Sequence, residues 1–300
     1  MQSDHSRPPL SGNRLAGIGD EAAVGLDGQI AAIHRLNWSA LELRTVDGTA
    51  MADLDPVAFR TVADRLRAAR IDVVCLASRI GNWNRPVTGS FDDDLAELET
   101  LAEQCAVLGC RYVRIMSYPN DGLTQADWGR RVLGRMSRLA ARAEQAGIVL
   151  VHENCAGWAG ESADRMVRLV EVTSSPALRL LFDTGNGVPY RYDAYELLEE
   201  LLPYIAHVHV KDAVRTAGGV VYTLPGDGEA RVAACLRLLR ESGYSGSLSL
   251  EPHLAVRPHE GLRAYGDAAA LFVRAGQRLG RLWEGPSAPD TADGAATGAR

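Results

Sequence analysis

The sequence predicts a single (β/α)₈ barrel, and three observations carry that expectation. The chain has 300 residues, a length that suits one α/β barrel as well as two smaller domains. Short apolar runs alternate eight times with longer stretches of helical periodicity, with no long polar linker between them. Acidic and histidine residues recur at the ends of the later runs, where barrel enzymes place their sites. A doubly wound parallel sheet is the structural alternative.

The runs read as strands at 15–19, 40–44, 72–78, 112–117, 148–153, 178–183, 206–211 and 247–251. Between the third and fourth, FDDDLAELETLAEQCAVLG places Leu95, Leu98, Leu101 and Ala102 on one helical face. Its acidic start suits a helix N-terminus. WGRRVLGRMSRLAARAEQAG ends in Gly147, a natural helix stop. Residues 1–14 and 284–300 lack a periodic apolar face and read as flexible tails around a catalytic domain at 15–283.

Composition narrows the function. Hydrophobic residues make up 46% and charged residues 23%, an ordinary globular mix. The net charge of −6 argues against a nucleic-acid partner, which usually meets a basic face. Apolar runs are too short for a membrane partner, and no secretory leader pattern opens the chain. The five cysteines contain no C-x-x-C, so reduced thiols in a cytoplasmic protein are expected. Oligomeric state stays open, a homo-oligomer included. Of 32 basic residues only Lys211 is a lysine. A GC-rich coding bias explains many arginines, but not where the one lysine falls.

Strands 5 to 8 end in VLVHEN, LLFDTGN, HVHVKD and SLSLEPH. Side chains alternate along a strand. In strand 8, Leu248 and Leu250 suit the helix side, which turns Ser249 and Glu251 inward. Val149, Val151 and Glu153 share a face, and so do His207, His209 and Lys211. His152 then points outward. By this phase Glu153, Asp183, His209 and Glu251 converge at the barrel mouth. Three carboxylates crowded together repel unless a cation or protons compensate. With one imidazole they form a hard O/N set suited to one divalent ion: Mn²⁺, Mg²⁺, Co²⁺ or Zn²⁺.

Those four segments, with PGDGEARVAACLRLLRESGYSGSLSLEP, resemble the xylose-isomerase-like superfamily of sugar isomerases and epimerases. The likeness runs from about Leu15 to Trp283. It implies a TIM barrel, with Glu153, Asp183, His209 and Glu251 as ligands of one metal. It also implies that Glu153 and Glu251 are the catalytic acid/base pair. The chain departs from many sugar epimerases at Asn186, where they carry a substrate-contacting His.

The expected function is therefore a metal-dependent sugar or cyclitol isomerase/epimerase, moving a proton through a metal-stabilised enediolate. The nearest rival is a dehydratase of a keto-cyclitol or dehydroshikimate-like substrate. An endonuclease of the same fold would need more histidine ligands and a basic surface. A catalytically inert binding subunit would have no use for the Glu153/Glu251 pair.

Further residues are expected around the substrate. Glu42 and Arg44 share a face at the end of strand 2, and either contact substrate hydroxyls or pair with each other. Asn186 touches substrate or holds a turn. His253 shares the face of Glu251. Trp83 and Trp158 lie on loops that could wall the pocket, and Arg114 and Arg79 suit an anionic group. His207, one layer below His209, reads as its support. Lys211 faces the site and either neutralises its carboxylates, binds a substrate oxygen, or forms a rim salt bridge to Asp212 or another nearby acid. Gly17-Ile-Gly19-Asp-Glu-Ala22 mimics a dinucleotide fingerprint, but Asp20 and Glu21 would sit where a pyrophosphate must.

Overall fold

β-Branched and leucine-rich runs supply eight parallel strands. They are β1 Leu15–Gly17, β2 Ala40–Leu43, β3 Asp72–Ala77, β4 Tyr112–Ser117, β5 Val149–Gly157, β6 Leu178–Asp183, β7 Ile205–Val210 and β8 Leu248–Leu250. The computed structural model describes residues 14–257, 262–263 and 267–285. Of the tails expected at 1–14 and 284–300, residues 1–13 and 286–300 lie outside the described residues, whereas Arg14 donates to Asp72 at 2.8 Å and Glu284 ends the last helix, so both belong to the fold. The strands pair in the order β1-β8-β7-β6-β5-β4-β3-β2. The two ends of that order meet at a single bridge between Ile18 and Glu42. The sheet therefore curls into a barrel, and the doubly wound alternative is set aside.

Among the described residues, eight helices of two turns or more form the outer layer, besides a single turn at Gly187–Tyr190: α1 Leu26–Arg35, α2 Pro56–Ala68, α3 Asp92–Leu108, α4 Gln125–Gln145, α5 Ala163–Thr173, α6 Ala194–Leu201, α7 Val232–Glu241 and α8 Ala268–Glu284. Asp55, Thr124, Ser162, Asp193 and Asp267 accept hydrogen bonds from first-turn amides and open five of them. Asp92, Asp93 and Asp94 occupy the first turn of α3, as the acidic start predicts. Gly147 follows α4 at φ 72°, the left-handed position that favours glycine.

The strands bury two different faces. Leu150, Leu180, Phe182, Val208, Leu248 and Leu250 pack outward against the helices. Inside the barrel, Cys75, Val149, Val151 and Leu181 form a small apolar plug. Above it the interior turns polar, because the next inward positions carry charge.

The glycines that mimic a nucleotide fingerprint serve packing instead. A Cβ on Gly17 would stand 2.4 Å from the Phe272 ring of α8, and one on Gly19 would stand 2.4 Å from the buried Gln29 side chain. Asp20 and Glu21 lie in ion pairs with Arg44. Gly17→Ala should therefore overpack the β1–α8 contact and cost about 1–3 kcal/mol, read as a lower urea midpoint. Adding Phe272→Leu should recover part of that loss. Strict additivity of the two substitutions would mean the ring is not what excludes a side chain at position 17.

Candidate metal centre

Strand register brings the four expected ligands together. Asp183 on β6 and Ser249 on β8 flank His209 on β7. Glu153 reaches in from β5, and Glu251 follows β8 directly. His209 Nδ1 lies 3.4 Å from Glu251 Oε2, 3.7 Å from Glu153 Oε1 and 3.9 Å from Asp183 Oδ2. One ligand atom from each residue fits within 4.8 Å of the others, and all four residues are buried.

Two of these atoms lack hydrogen-bond partners. His209 Nδ1 receives and makes no hydrogen bond. Asp183 Oδ2 sits 3.0 Å from the Lys211 ammonium, yet no aligned hydrogen bond joins them. The other carboxylate oxygen, Oδ1, is fixed by the backbone N–H groups of Gly185 and Asn186, both at 2.8 Å. This is why DTGN follows the strand. The turn holds one oxygen and leaves the other facing the cluster. Orphaned donor atoms among converging carboxylates fit a divalent cation.

The charges pull in opposite directions. Burial opposes the charged form of Glu153, but the neighbouring His209 ring and the Arg114 charge hold it down at about 2. Burial, with Glu153 and Glu251 close by, pushes Asp183 up to about 6 against the pull of Lys211. Burial opposes the charge on Glu251, but Lys211, His253 and His209 together hold it well below its usual range. One carboxylate is thus driven toward protonation, the sign of a site with more negative charge than its own side chains offset.

Neighbouring side chains set these groups in place. Lys211 is 3% exposed and donates to Glu251 Oε2 at 2.7 Å. Its partners are the cluster carboxylates, not Asp212, whose side chain accepts the N–H groups of Gly226, Gly228 and Ala230. Arg44 donates to Glu251 Oε1 and Asp20 Oδ1, each at 2.8 Å, so it does not pair with Glu42. Asn186 Nδ2 donates to Glu153 Oε1 at 3.0 Å and steadies that carboxylate while its backbone holds the turn. Arg114 Nε lies 3.5 Å from Glu153 Oε2 and has no hydrogen-bond partner.

Several expectations need correction. Glu42 does not line the mouth. It is fully buried, and its carboxylate meets His207 Nε2 at 2.8 Å and His209 Nε2 at 3.0 Å. Trp158 packs into the helix-side core against Gly129 rather than walling the pocket. His253 adopts φ 52°, which swings its ring onto Glu21 at 2.7 Å. Arg79 is held by Asp53 and Glu97. Trp83, 36% exposed, does border a mouth cavity of about 340 Å³ with Arg44, Thr45, Asn82, Arg114 and Val256. A larger cavity of about 760 Å³ opens at the opposite end of the strands near Arg111 and Tyr244, away from the acidic cluster.

Other contributors escaped the sequence reading. Asn154 exchanges hydrogen bonds with the Asp183 backbone, and Tyr222 stacks edge-on against His253. Asp20 and Glu21 were legible by the strand-end rule, since they follow β1. The glycine pattern drew the reading elsewhere.

Known proteins share this arrangement of elements. The chain is 27% identical over 191 residues to inosose dehydratase of Geobacillus kaustophilus, covering 54% of this chain and 62% of that protein. It spans about half the length of the Clostridium perfringens and Bacillus cereus dehydratases it matches. It is 32% identical over 238 residues to 2-epi-5-epi-valiolone 7-phosphate 2-epimerase of an Actinoplanes species, covering 78% of this chain and 80% of that one. The solved structure of an L-ribulose 3-epimerase superposes with a TM-score of 0.70 at 19% identity, covering 91% of this chain and 95% of that chain. A probable 3-DHS dehydratase of Bacillus anthracis gives 0.69 at 12% identity, covering 89% and 99%. At those identities the two structures speak for the fold alone. A family model described as a xylose isomerase-like TIM barrel matches residues 30–273. With that match across the barrel, the chain belongs to the xylose isomerase-like TIM barrel family.

Proposed function

We propose that residues 15–283 form a divalent-metal-dependent epimerase or isomerase acting on a small sugar or cyclitol. One observation carries this reading: Glu153 and Glu251, from strands three apart, reach the same His209 Nδ1 at 3.7 and 3.4 Å. Two carboxylates at one reacting centre suit removal of a proton by one and its return by the other. A cation held by Glu153, Asp183, His209 and Glu251 (Mn²⁺, Mg²⁺, Co²⁺ or Zn²⁺) would supply Lewis acidity to a substrate carbonyl and its neighbouring hydroxyl.

The chain's own groups set up the proton transfer. Asn186 and Arg114 orient Glu153, while Arg44 and Lys211 hold the two oxygens of Glu251. Glu153 or Glu251 takes the proton from the carbon beside the carbonyl. Return to the opposite face of that carbon inverts it, and return to the neighbouring carbon isomerises. The mouth beside Trp83, Asn82 and Arg114 takes the remainder of the substrate. Five free, buried thiols suit work in the cytoplasm, and no helix among the described residues is long and apolar enough to cross a membrane.

A second reading is a dehydratase of a keto-cyclitol or a dehydroshikimate-like compound, favoured by the likeness to inosose dehydratase. The same proton removal would then expel a β-hydroxyl as water. Incubation in D₂O with candidate keto-cyclitols separates the two. Deuterium at the carbon beside the carbonyl without loss of water supports epimerisation or isomerisation, and loss of 18 mass units supports dehydration.

Metal analysis should find about one divalent ion per chain, as a closed four-ligand cluster requires. Chelation should abolish turnover, and Mn²⁺ or Co²⁺ should restore it. Full activity in protein stripped of metal would sink the proposal.

Glu153→Gln and Glu251→Gln should each lower kcat by about 10²–10⁴-fold, the usual worth of a positioned acid or base. Turnover near wild type in either variant would remove that residue from the proton path.

Lys211→Arg should cost about tenfold or more, the effect of losing ~1.4 kcal/mol. The ammonium sits 3.0 Å from Asp183 Oδ2 and 2.7 Å from Glu251 Oε2, a compact point charge between two carboxylates that a planar fork does not reproduce. Unchanged turnover and substrate affinity would leave the lone lysine an accident of coding.

A further inference from the structure

Below the acidic cluster lies a polar group that the proton path does not use. Glu42 and His207 are fully buried, and Glu42 points into the barrel from β2. Glu42 Oε1 and Oε2 each lie 3.0 Å from His209 Nε2, and Oε2 lies 2.8 Å from His207 Nε2. His207 Nε2 also meets Ser249 Oγ at 3.0 Å. No substrate atom can reach a carboxylate this enclosed.

An ionised carboxylate only accepts hydrogen bonds. Both imidazoles must therefore present an N–H at Nε2. A neutral imidazole carries one N–H, so His209 Nδ1 is then left as the lone pair. We propose that Glu42 is the positioning residue of the metal-binding histidine, holding the His209 proton on Nε2 so that Nδ1 faces Glu153, Asp183 and Glu251 as a donor. This inference rests on the metal-dependent reading above.

The need for such a device follows from the cluster itself. Three carboxylates stand 3.4–3.9 Å from Nδ1, the side on which a cation would sit, so the ring must turn its lone pair and not its N–H that way. Glu42 places an opposing negative charge on the far side of the ring. His207 occupies the same carboxylate from below and limits its rotation. A carboxylate behind a metal-binding imidazole also raises the basicity of the ring, which strengthens its bond to the ion.

Glu42→Gln keeps the shape and removes the charge. Its amide can accept from one imidazole, but its NH₂ then confronts the other. The Zn²⁺ dissociation constant of the full chain, measured by calorimetry without substrate, should rise about 10–100-fold. Glu42→Asp should fall between wild type and Glu42→Gln. In Zn²⁺-loaded wild type, long-range ¹H–¹⁵N correlation should show His209 protonated at Nε2 and metal-bound at Nδ1. The opposite assignment overturns the inference even if no variant folds. An unchanged Zn²⁺ constant in folded Glu42→Gln, with or without a higher KM, overturns it while leaving the functional reading intact. Wild type that takes up no Zn²⁺, Mn²⁺ or Co²⁺ removes the functional reading and this inference together.

Discussion

Barrel closure gathers six carboxylates in one buried region, Asp20, Glu21, Glu153, Asp183 and Glu251 at the mouth and Glu42 beneath them. Among the described residues, three cationic side chains, Arg44, Arg114 and Lys211, stand among them. Charge in a low-dielectric interior is costly unless it is paired, so this imbalance is the constraint the surrounding structure answers. Arg44 serves Asp20, Glu21 and Glu251 at once. Lys211 bridges Asp183 and Glu251. The turn after β6 gives two backbone N–H groups to Asp183. What is still uncompensated faces a single point beside His209 Nδ1, and a divalent ion is the natural complement.

Much of this was legible in the sequence, for a physical reason. Strand alternation has a period of two, so the phase of a few apolar residues fixes which polar ones face inward. Leu248 and Leu250 pack outward, and that alone turns Ser249 and Glu251 into the barrel. The same reasoning places Glu153 above Val149 and Val151. Depth was not legible. Glu42 faces inward as its phase requires, but β2 is offset by a register shift between Leu41 and Glu42, and Glu42 ends beneath His209 rather than beside the substrate.

Loop residues resisted for a different reason. Trp83 and Trp158 both follow strands, and neither sits in a periodic pattern. Gly129 on α4 leaves space for the Trp158 ring, whereas Trp83 stays 36% exposed beside the mouth cavity. His253 leaves the alternation altogether, because its left-handed backbone redirects the ring to Glu21. Such choices depend on partners in other elements, 232 residues away in the case of His253, and no local pattern encodes them.

The site and the seam of the barrel are one structure. β1 and β8 are three residues long, and β1 meets β2 through one bridge at Ile18 and Glu42. Backbone pairing is thinnest there, and side chains take its place. Arg44 leaves β2 to bind Asp20 and Glu21 after β1 and Glu251 after β8. Glu42, the bridge residue itself, reaches across to both histidines of β7. A shift of β1 against β2 would move Glu251 through Arg44 and His209 through Glu42 together. The geometry at Nδ1 is therefore only as exact as the closure of the sheet. This gives the close Gly17–Phe272 contact a second consequence: by seating α8 on β1, it steadies the seam from which the cluster is hung.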